Sequence, residues 1–444
     1  MAKEKKVQDY DLLYDVLRYY VDFVMKLSYR EIKYVGREFI PKDGAVILAP
    51  NHTNALMDAM VVLGMDHRPK VFVARADIFR NPKIAKILKW LKIMPIMRMR
   101  DGIEEVKKNN ETIERAVDVL RDRVPFCIFP EGTHQAKYSS LPLAKGIFRI
   151  AFQAQELMPD MPLYIVPVGI RYGSFFRFRS TVRVQIGEPI NVGKFIKEHS
   201  DLAPAEQMTA IRELLTERIH NSIFHIPNDD NYEAMYEICA TVVKEQIKSC
   251  RFTVDGKRLR GMDADFEANK RTVRDIMRLK ETKPEVAEEL LRLGKEAYDM
   301  RTAQSISLKS VPVKNAMLSR ILKTLFLIVK LPYSLPASIL TLPMTAVIKS
   351  LFRLIKDYAF RNSVRFVVNL VMWPLLMIIY GALAFSFLPW QWALAITIAL
   401  LPAPIIAQES WRLLRLVRSD IRLYCNKPLR EKYARIRTLF TQNI

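Results

Sequence analysis

A chain of 444 residues, half of them hydrophobic, has apolar material for two or three folded units, which argues against a disordered or fibrous polypeptide. Its 69 lysines and arginines against 47 acidic residues give a formal charge of +22, so the partners to consider are polyanions: nucleic acid, an anionic membrane surface or phosphorylated substrates. Four cysteines, Cys127, Cys239, Cys250 and Cys425, have neither metal-like nor disulfide-like spacing and are expected to be reduced thiols on the cytosolic side.

At the N-terminus, Lys3, Lys5 and Lys6 are followed by Asp9, Asp11 and Asp15, which interrupt any apolar core, so no cleavable signal peptide is expected. Residues 12–27 carry an apolar stripe at helical spacing, an amphipathic helix that either packs on the protein or lies on a membrane surface. Residues 32–39 alternate like a strand, and Pro41-Lys42-Asp43-Gly44 turns the chain into a buried strand at 45–49. Further strands are expected at 71–74, 93–97, 126–129 and 163–168, with helices at about 58–63, 81–92, 104–121 and 146–157. This alternation predicts an α/β fold, a mixed sheet flanked by helices.

From Met208 to about Lys309 the pattern is charged and helical, and no chemistry stands out there. Residues 321–348 are apolar but interrupted by Pro332, Pro336 and Pro343 and contain Lys323 and Lys330, which predicts an interfacial or re-entrant element. Between Phe366 and Gln408 there is no charged residue, a stretch about twice the ~20 residues that cross a bilayer once. It reads as two membrane helices, 366–388 and 390–408, meeting at Pro389 with Trp390 and Trp392 as interfacial aromatics. Arg353, Lys356, Arg361 and Arg365 precede the pair and Arg412, Arg415, Arg418 and Arg422 follow it, which places both ends in the cytosol. The expected plan is an amphipathic helix (1–30), a catalytic domain (31–225), a charged helical region (226–315), the interfacial element (316–360) and a C-terminal membrane helical hairpin with a basic cytosolic tail (361–444).

His52 follows the 45–49 strand, where a strand gives way to a loop, and Asp58 comes six positions later. A histidine can take a proton from a hydroxyl near neutral pH, and a carboxylate can fix its tautomer; the same pair can also be a structural hydrogen bond or a helix cap. The two positions do not stack as i and i+4 do, so a loop or irregular turn is expected to join them in an imidazole–carboxylate hydrogen bond. Arg98 and Arg100, Glu131-Gly132-Thr133, and Arg171 beyond Val166-Pro167-Val168 stand at other strand ends, which converge on one edge of an α/β sheet. A base, an orienter, cations and a carboxylate suit attack by the hydroxyl of an anionic acceptor on a thioester carbonyl.

Asn51-His52 with Asp58, Ile96-Met97-Arg98, Phe129-Pro130-Glu131-Gly132-Thr133 and Val166-Pro167-Val168, in that order within about residues 32–191, resemble the four motif blocks of the glycerolipid acyltransferases. The chain looks most like the yeast-type membrane glycerol-3-phosphate acyltransferases, whose catalytic pair has the same spacing and whose C-terminal region is membrane-embedded. The resemblance implies that His52 deprotonates the acceptor and Asp58 orients it. It implies that Arg98, Glu131, Gly132 and Thr133 bind glycerol phosphate and that Pro167 shapes the acyl-donor side; Asn51, Arg100 and, from its place at a strand end, Arg171 are further candidates for substrate binding. Lys145, before Gly146, assists phosphate binding or polarises the thioester, or else is a solvated surface lysine. Lys92 stands where the second block usually begins with glycine, which leaves Arg98 and Arg100 as alternatives. His134 stands where arginine or a small residue usually follows the third block, either a second site residue or a bystander.

No metal or cofactor is implied; an acyl thioester of coenzyme A or of acyl carrier protein is the co-substrate. The partners are an anionic lipid membrane and a glycerol phosphate acceptor, at the cell (inner) membrane with the catalytic domain on its cytosolic side. No recognition helix, zinc spacing or aromatic-basic platform supports nucleic acid. Transfer is expected to be direct, because no Gly-x-Ser-x-Gly setting and no cysteine beside a histidine is present. The alternatives are acylation of lysophosphatidic acid or another lysolipid, and a non-catalytic membrane lipid-binding or scaffold protein, which the intact His52, Asp58, Glu131 and Gly132 argue against.

Overall fold

A computed structural model of the chain describes residues 6–96, 109–250, 252–254, 256–311, 316–355 and 357–444. Two compact units are distinguished: Met1–Ile223 with Leu351–Leu370, and Phe224–Ser350 with Val371–Ile444. The return of residues 351–370 to the first unit has no counterpart in the expected plan.

The first unit is built on a mixed sheet whose strands are β1 (Tyr29–Val35), β2 (Ala45–Pro50), β3 (Val71–Arg75), β4 (Ile93–Ile96), β5 (Phe126–Cys127), β6 (Leu163–Tyr172), β7 (Ser180–Ile186) and β8 (Ile190–Asn191). Their spatial order is β1-β7-β6-β2-β5-β3-β4, with β8 antiparallel to β6. Strands β6, β2, β5, β3 and β4 are mutually parallel, while β1 and β7 run the other way. The sheet explains the sequence of β2, Ala-Val-Ile-Leu-Ala-Pro: every residue is buried, as in a parallel strand covered on both faces. Ala45, Ile47 and Ala49 join Leu163, Ile165, Phe148 and Leu215 in one core layer. Val46 and Leu48 join Met57, Val61, Val168, Ile170 and Tyr172 in the other.

Helices α1 (Leu12–Ser28), α2 (Leu56–Leu63), α3 (Pro82–Trp90), α4 (Asn109–Arg121), α5 (Gly146–Leu157), α6 (Val192–Glu198) and α7 (Pro204–Ser222) complete this unit. Three expectations shift here. The first strand begins at Tyr29 and stops at Gly36, whose φ of 80° and whose approach to the Ile186 carbonyl, 2.3 Å from where a Cβ would stand, admit only glycine; a 3-10 turn, Arg37–Phe39, follows. Strand β6 runs to Tyr172 because β7, whose Ser-Thr-Val-Arg-Val-Gln-Ile pattern alternates, pairs with its second half. Helix α2 starts at Leu56, so Asp58 lies in its first turn.

The second unit is helical. Helices α8 (Tyr232–Cys250), α9 (Gly261–Thr282) and α10 (Pro284–Ala303) form the charged region, with a short hairpin of Thr253–Val254 and Lys257–Arg258. Glu237 is fully buried, receives two bonds from the Arg301 guanidinium at 2.8 and 2.9 Å and one from the Tyr433 hydroxyl at 2.6 Å. That cluster joins α8 and α10 to the C-terminal helix Lys427–Asn443, as a buried ion pair does when its partners satisfy it.

The stretch expected as an interfacial or re-entrant element holds two helices, α11 (Ala316–Leu340) and α12 (Leu342–Leu354). Pro332 and Pro336 lie inside α11; set four residues apart they fall on one side of the helix, and the break comes at Thr341, ahead of Pro343. Met317–Leu340 is long and apolar enough to cross a membrane, as is α13 (Phe360–Phe387). The stretch read as a helix at 390–408 is divided into α14 (Trp390–Leu400) and α15 (Ala403–Cys425), bent by 46°. Pro402 and Pro404 supply no amide to continue the ladder there. Counting that bent pair as one span gives up to three among the described residues.

Candidate active site

The loop between β2 and α2 carries the pair. Asn51 is buried and its amide donates to the Ile170 carbonyl at 3.2 Å and accepts from the Ile170 N–H at 2.6 Å, which locks the end of β2 to β6. Asn51 thereby braces the loop through both ends of its amide. His52 Nδ1 lies 2.8 Å from Asp58 Oδ2, in the bond expected from a loop joining the two. The same oxygen accepts the amides of Thr53 and Asn54, each at 2.7 Å, and Oδ1 accepts the Tyr172 hydroxyl at 2.7 Å. Asp58 is wholly inaccessible to solvent, and its carboxylate is held by four bonds, three on Oδ2 and one on Oδ1. With Nδ1–H committed to Asp58, the lone pair of His52 is on Nε2. Ala55, in the same loop, has φ 47° and ψ −127°, a region rarely held by a residue with a Cβ and worth about 1–3 kcal/mol of strain.

The second wall follows β5. Phe129 stacks on the His52 ring at 4.2 Å between centroids. Gly132 N–H closes a turn onto the Phe129 carbonyl at 3.2 Å, and its φ of 63° is why glycine stands there. Gln135 N–H bonds the His52 carbonyl at 3.1 Å, which fastens the two loops together. Between them Glu131 is 6% exposed, and among the described residues neither of its oxygens has a hydrogen-bond partner. Burial is the main cause that raises its carboxyl from 4.5 to about 8; the His52 and Leu141 backbone amides pull the other way, and the Asp58 charge adds to the rise. Neither amide reaches hydrogen-bonding geometry with it, so burial prevails.

Arg98 and Arg100 lie outside the described residues. Gly132 and Thr133 are exposed, and Lys145 is a solvent-exposed lysine just before α5 that makes no side-chain cap bond. Pro167 is buried mid-strand opposite Ala49, filling the space beside Gly187, so it is a core residue. Arg171 pairs in register with Arg183, and strand alternation turns it to the face opposite Tyr172 and Asp58; the sheet lies between it and the pair.

Several residues of the site were not foreseen. Tyr172 holds Asp58, and Tyr138 donates its hydroxyl to the Tyr172 carbonyl at 2.6 Å. The Tyr29 ring lies 6.1 Å from that of Tyr172, and Asn362 donates to the Tyr29 hydroxyl at 3.2 Å. Burial raises both phenols well above their ordinary range, with the Asp58 charge adding to it, so both remain protonated donors. A polar-tipped aromatic on the apolar face at the end of β6 was the signal available for Tyr172. Among the described residues, no group of three or more His, Cys, Asp or Glu side chains is placed to hold a metal.

Residues 31–171 match the family model described as Acyltransferase. The chain carries an acyltransferase domain. Glycerol-3-phosphate O-acyltransferase 2 of Saccharomyces cerevisiae is 27% identical over 261 residues, covering 57% of this chain and 33% of the relative. Glycerol-3-phosphate O-acyltransferase 1 of the same yeast is 36% identical over 90 residues, 20% of this chain and 12% of the relative. The chain thus spans a third or less of the length of the two yeast relatives. A 1-acyl-sn-glycerol-3-phosphate acyltransferase of Bacillus subtilis is 25% identical over 193 residues, 42% of this chain and 86% of the relative. Among solved structures, a 1-acyl-sn-glycerophosphate (LPA) acyltransferase of Thermotoga maritima matches 47% of this chain and 80% of its own, with 21% identity and a TM-score of 0.34. The four motif blocks therefore do mark an acyltransferase domain, and the His52–Asp58 loop and the Glu131 turn both fall inside the matched residues.

Proposed function

We propose that this chain is a membrane-bound O-acyltransferase that moves a fatty acyl group from a thioester donor to a hydroxyl of glycerol 3-phosphate in phospholipid synthesis. The observation that carries this reading is the His52–Asp58 pair, with Nδ1 tied to a buried carboxylate, beside a buried Glu131 that has no hydrogen-bond partner among the described residues. The acceptor hydroxyl gives its proton to His52 Nε2 as its oxygen attacks the thioester carbonyl. The tetrahedral oxyanion collapses, the C–S bond breaks, and the departing thiolate takes the proton back from the imidazolium. Glu131 bonds a second hydroxyl of the acceptor, and Arg98 or Arg100 supplies the guanidinium fork that suits a phosphate. The donor is an acyl thioester of coenzyme A or acyl carrier protein; both are acidic and match a chain of charge +22.

The membrane enters through Met317–Leu340 and Phe360–Phe387, with basic residues before and after the apolar stretch that favour a catalytic domain on the cytosolic side of the cell (inner) membrane. In the first unit Tyr14 packs edge-on against Trp90, bringing α1 beside α3. Leu12, Leu13, Val16 and Tyr19 of α1, and Ile84 and Ile87 of α3, are exposed, with Lys83 and Lys86 among them. Such a face suits an anionic lipid surface.

A second acceptor, lysophosphatidic acid, is favoured by the match to the Bacillus subtilis protein, most of whose length is covered. The test is an assay of purified protein in detergent with glycerol 3-phosphate, dihydroxyacetone phosphate or lysophosphatidic acid, each against acyl-coenzyme A and acyl carrier protein donors. Lysophosphatidic acid formed from glycerol 3-phosphate is the expected product. Phosphatidic acid formed only from lysophosphatidic acid would establish the second acceptor, and no transfer with any pair would leave the scaffold alternative. Labelled acyl group trapped on the protein by acid quench would overturn direct transfer.

A further inference from the structure

We propose that residues 357–366, which lead into α13 and form its first turns, are a positioning element for both members of the His52–Asp58 pair; this rests on the acyltransferase reading. Residues 351–370 fold with the first unit, and their contacts reach the pair by two routes. On one route Asp357 Oδ2 lies 2.8 Å from His134 Nε2, and the His134 ring stands edge-on to that of His52, 5.3 Å away at 74°. Phe360 meets His134 at 5.4 Å, while Phe129 covers the face of His52. On the other route Asn362 donates to the Tyr29 hydroxyl, the Tyr29 ring lies beside Tyr172, and Tyr172 donates to Asp58. The stretch is itself held down: Asn362 also bonds the Phe175 carbonyl at 3.4 Å, Arg365 bonds the Phe176 carbonyl at 3.2 Å, and Phe366 is buried in the core layer that holds Tyr172.

His134 and Asp357 could be merely a surface pair, since the Asp357 side chain is 52% exposed. A pair that open contributes at most about 1 kcal/mol to stability, so its consequence is orientation. Freed from Asp357, the His134 ring no longer braces one side of His52, and the imidazole can turn away from the line between Asp58 and the acceptor oxygen. General-base catalysis is sensitive to displacements of about 1 Å. Because α13 is a candidate membrane helix, the seating of its first turns and the geometry of the base become one variable.

The test uses the full chain in detergent, with Asp357→Asn, His134→Gln, their double variant, Asp357→Glu and Asn362→Leu. Wild type and His52→Ala run beside them. Asp357→Asn and His134→Gln are expected each to lower kcat by about tenfold or more, with acceptor KM and the thermal unfolding midpoint little changed. The double variant is expected to fall no further than the worse single variant, because both act through one contact. Asp357→Glu should recover part of the loss, and Asn362→Leu should add to it through its separate route. A kcat for Asp357→Asn within about twofold of wild type, a raised KM at constant kcat, or a loss wholly matched by a lowered midpoint would each overturn the proposal. An active wild type with an inactive His52→Ala and a fully active Asp357→Asn sinks this inference alone; a wild type that transfers nothing sinks the functional reading and this with it.

Discussion

Asp58→Asn is expected to fold and to transfer acyl groups about 10²–10⁴-fold more slowly, the range in which a general base is worth having. Its packing survives because the substitution is isosteric. If the amide oxygen takes the Oδ2 position it keeps the His52, Thr53 and Asn54 bonds, and its NH₂ faces a Tyr172 hydroxyl that can turn to accept. What is lost is the negative charge that stabilises the imidazolium as the proton arrives. If the amide turns the other way, its NH₂ meets His52 Nδ1 and selects the tautomer whose Nε2 already holds a hydrogen, which abolishes the base outright. Steady-state kcat beside a thermal unfolding curve decides this. A folded variant with kcat within about tenfold of wild type would remove Asp58 from the mechanism.

Glu131→Gln is expected to separate stability from activity. The folded protein holds the Glu131 carboxyl proton up to about pH 8, whereas an ordinary glutamate loses it near 4.5. Between those values the native state binds a proton that the unfolded chain does not, so wild-type stability falls as pH rises through that window and levels off above it. Glutamine does not titrate. The variant therefore gains on wild type from pH 5 to pH 8, by an upper bound of about 4 kcal/mol at roughly 1.4 kcal/mol per pH unit. Its amide can still bond one hydroxyl, but its NH₂ only donates, where the hydroxyl of the protonated carboxyl both donates and accepts. Acceptor KM is expected to rise by about tenfold or more, from roughly 1–3 kcal/mol of lost or mismatched hydrogen bonding. Thermal midpoints at pH 5 and pH 8, with KM for glycerol 3-phosphate, check both halves. A variant whose advantage does not grow with pH would mean that Glu131 finds a partner in solution.

What was legible in the sequence follows from distance along the chain. His52, Asp58 and Glu131 sit in local strand-end contexts, and the structure places His52 and Asp58 in one bond and Glu131 in the turn beside them. Arg171 and Pro167 share the strand-end context, but a strand sends neighbouring residues to opposite faces, and only β6 pairing with both β2 and β7 reveals which face each takes. Tyr172, Tyr29 and Asn362 could not be joined to the pair from sequence for another reason: their partners lie 114, 143 and 333 positions away (Tyr172–Asp58, Tyr29–Tyr172, Asn362–Tyr29), and nothing local in Asn362 distinguishes it from a polar residue before a membrane span. Prolines were read unevenly. Pro332 and Pro336 stand inside a helix that breaks only at Thr341, ahead of Pro343, whereas Pro402 with Pro404 divides a stretch that hydropathy alone treats as continuous.

The most direct measurement is single-turnover acyl transfer to glycerol 3-phosphate by His52→Ala beside wild type, with both proteins shown to be folded. With Nε2 as the base, the variant is expected to lose about 10²–10⁴ in rate while still binding donor and acceptor. A folded His52→Ala that transferred at the wild-type rate would contradict the mechanism at its centre.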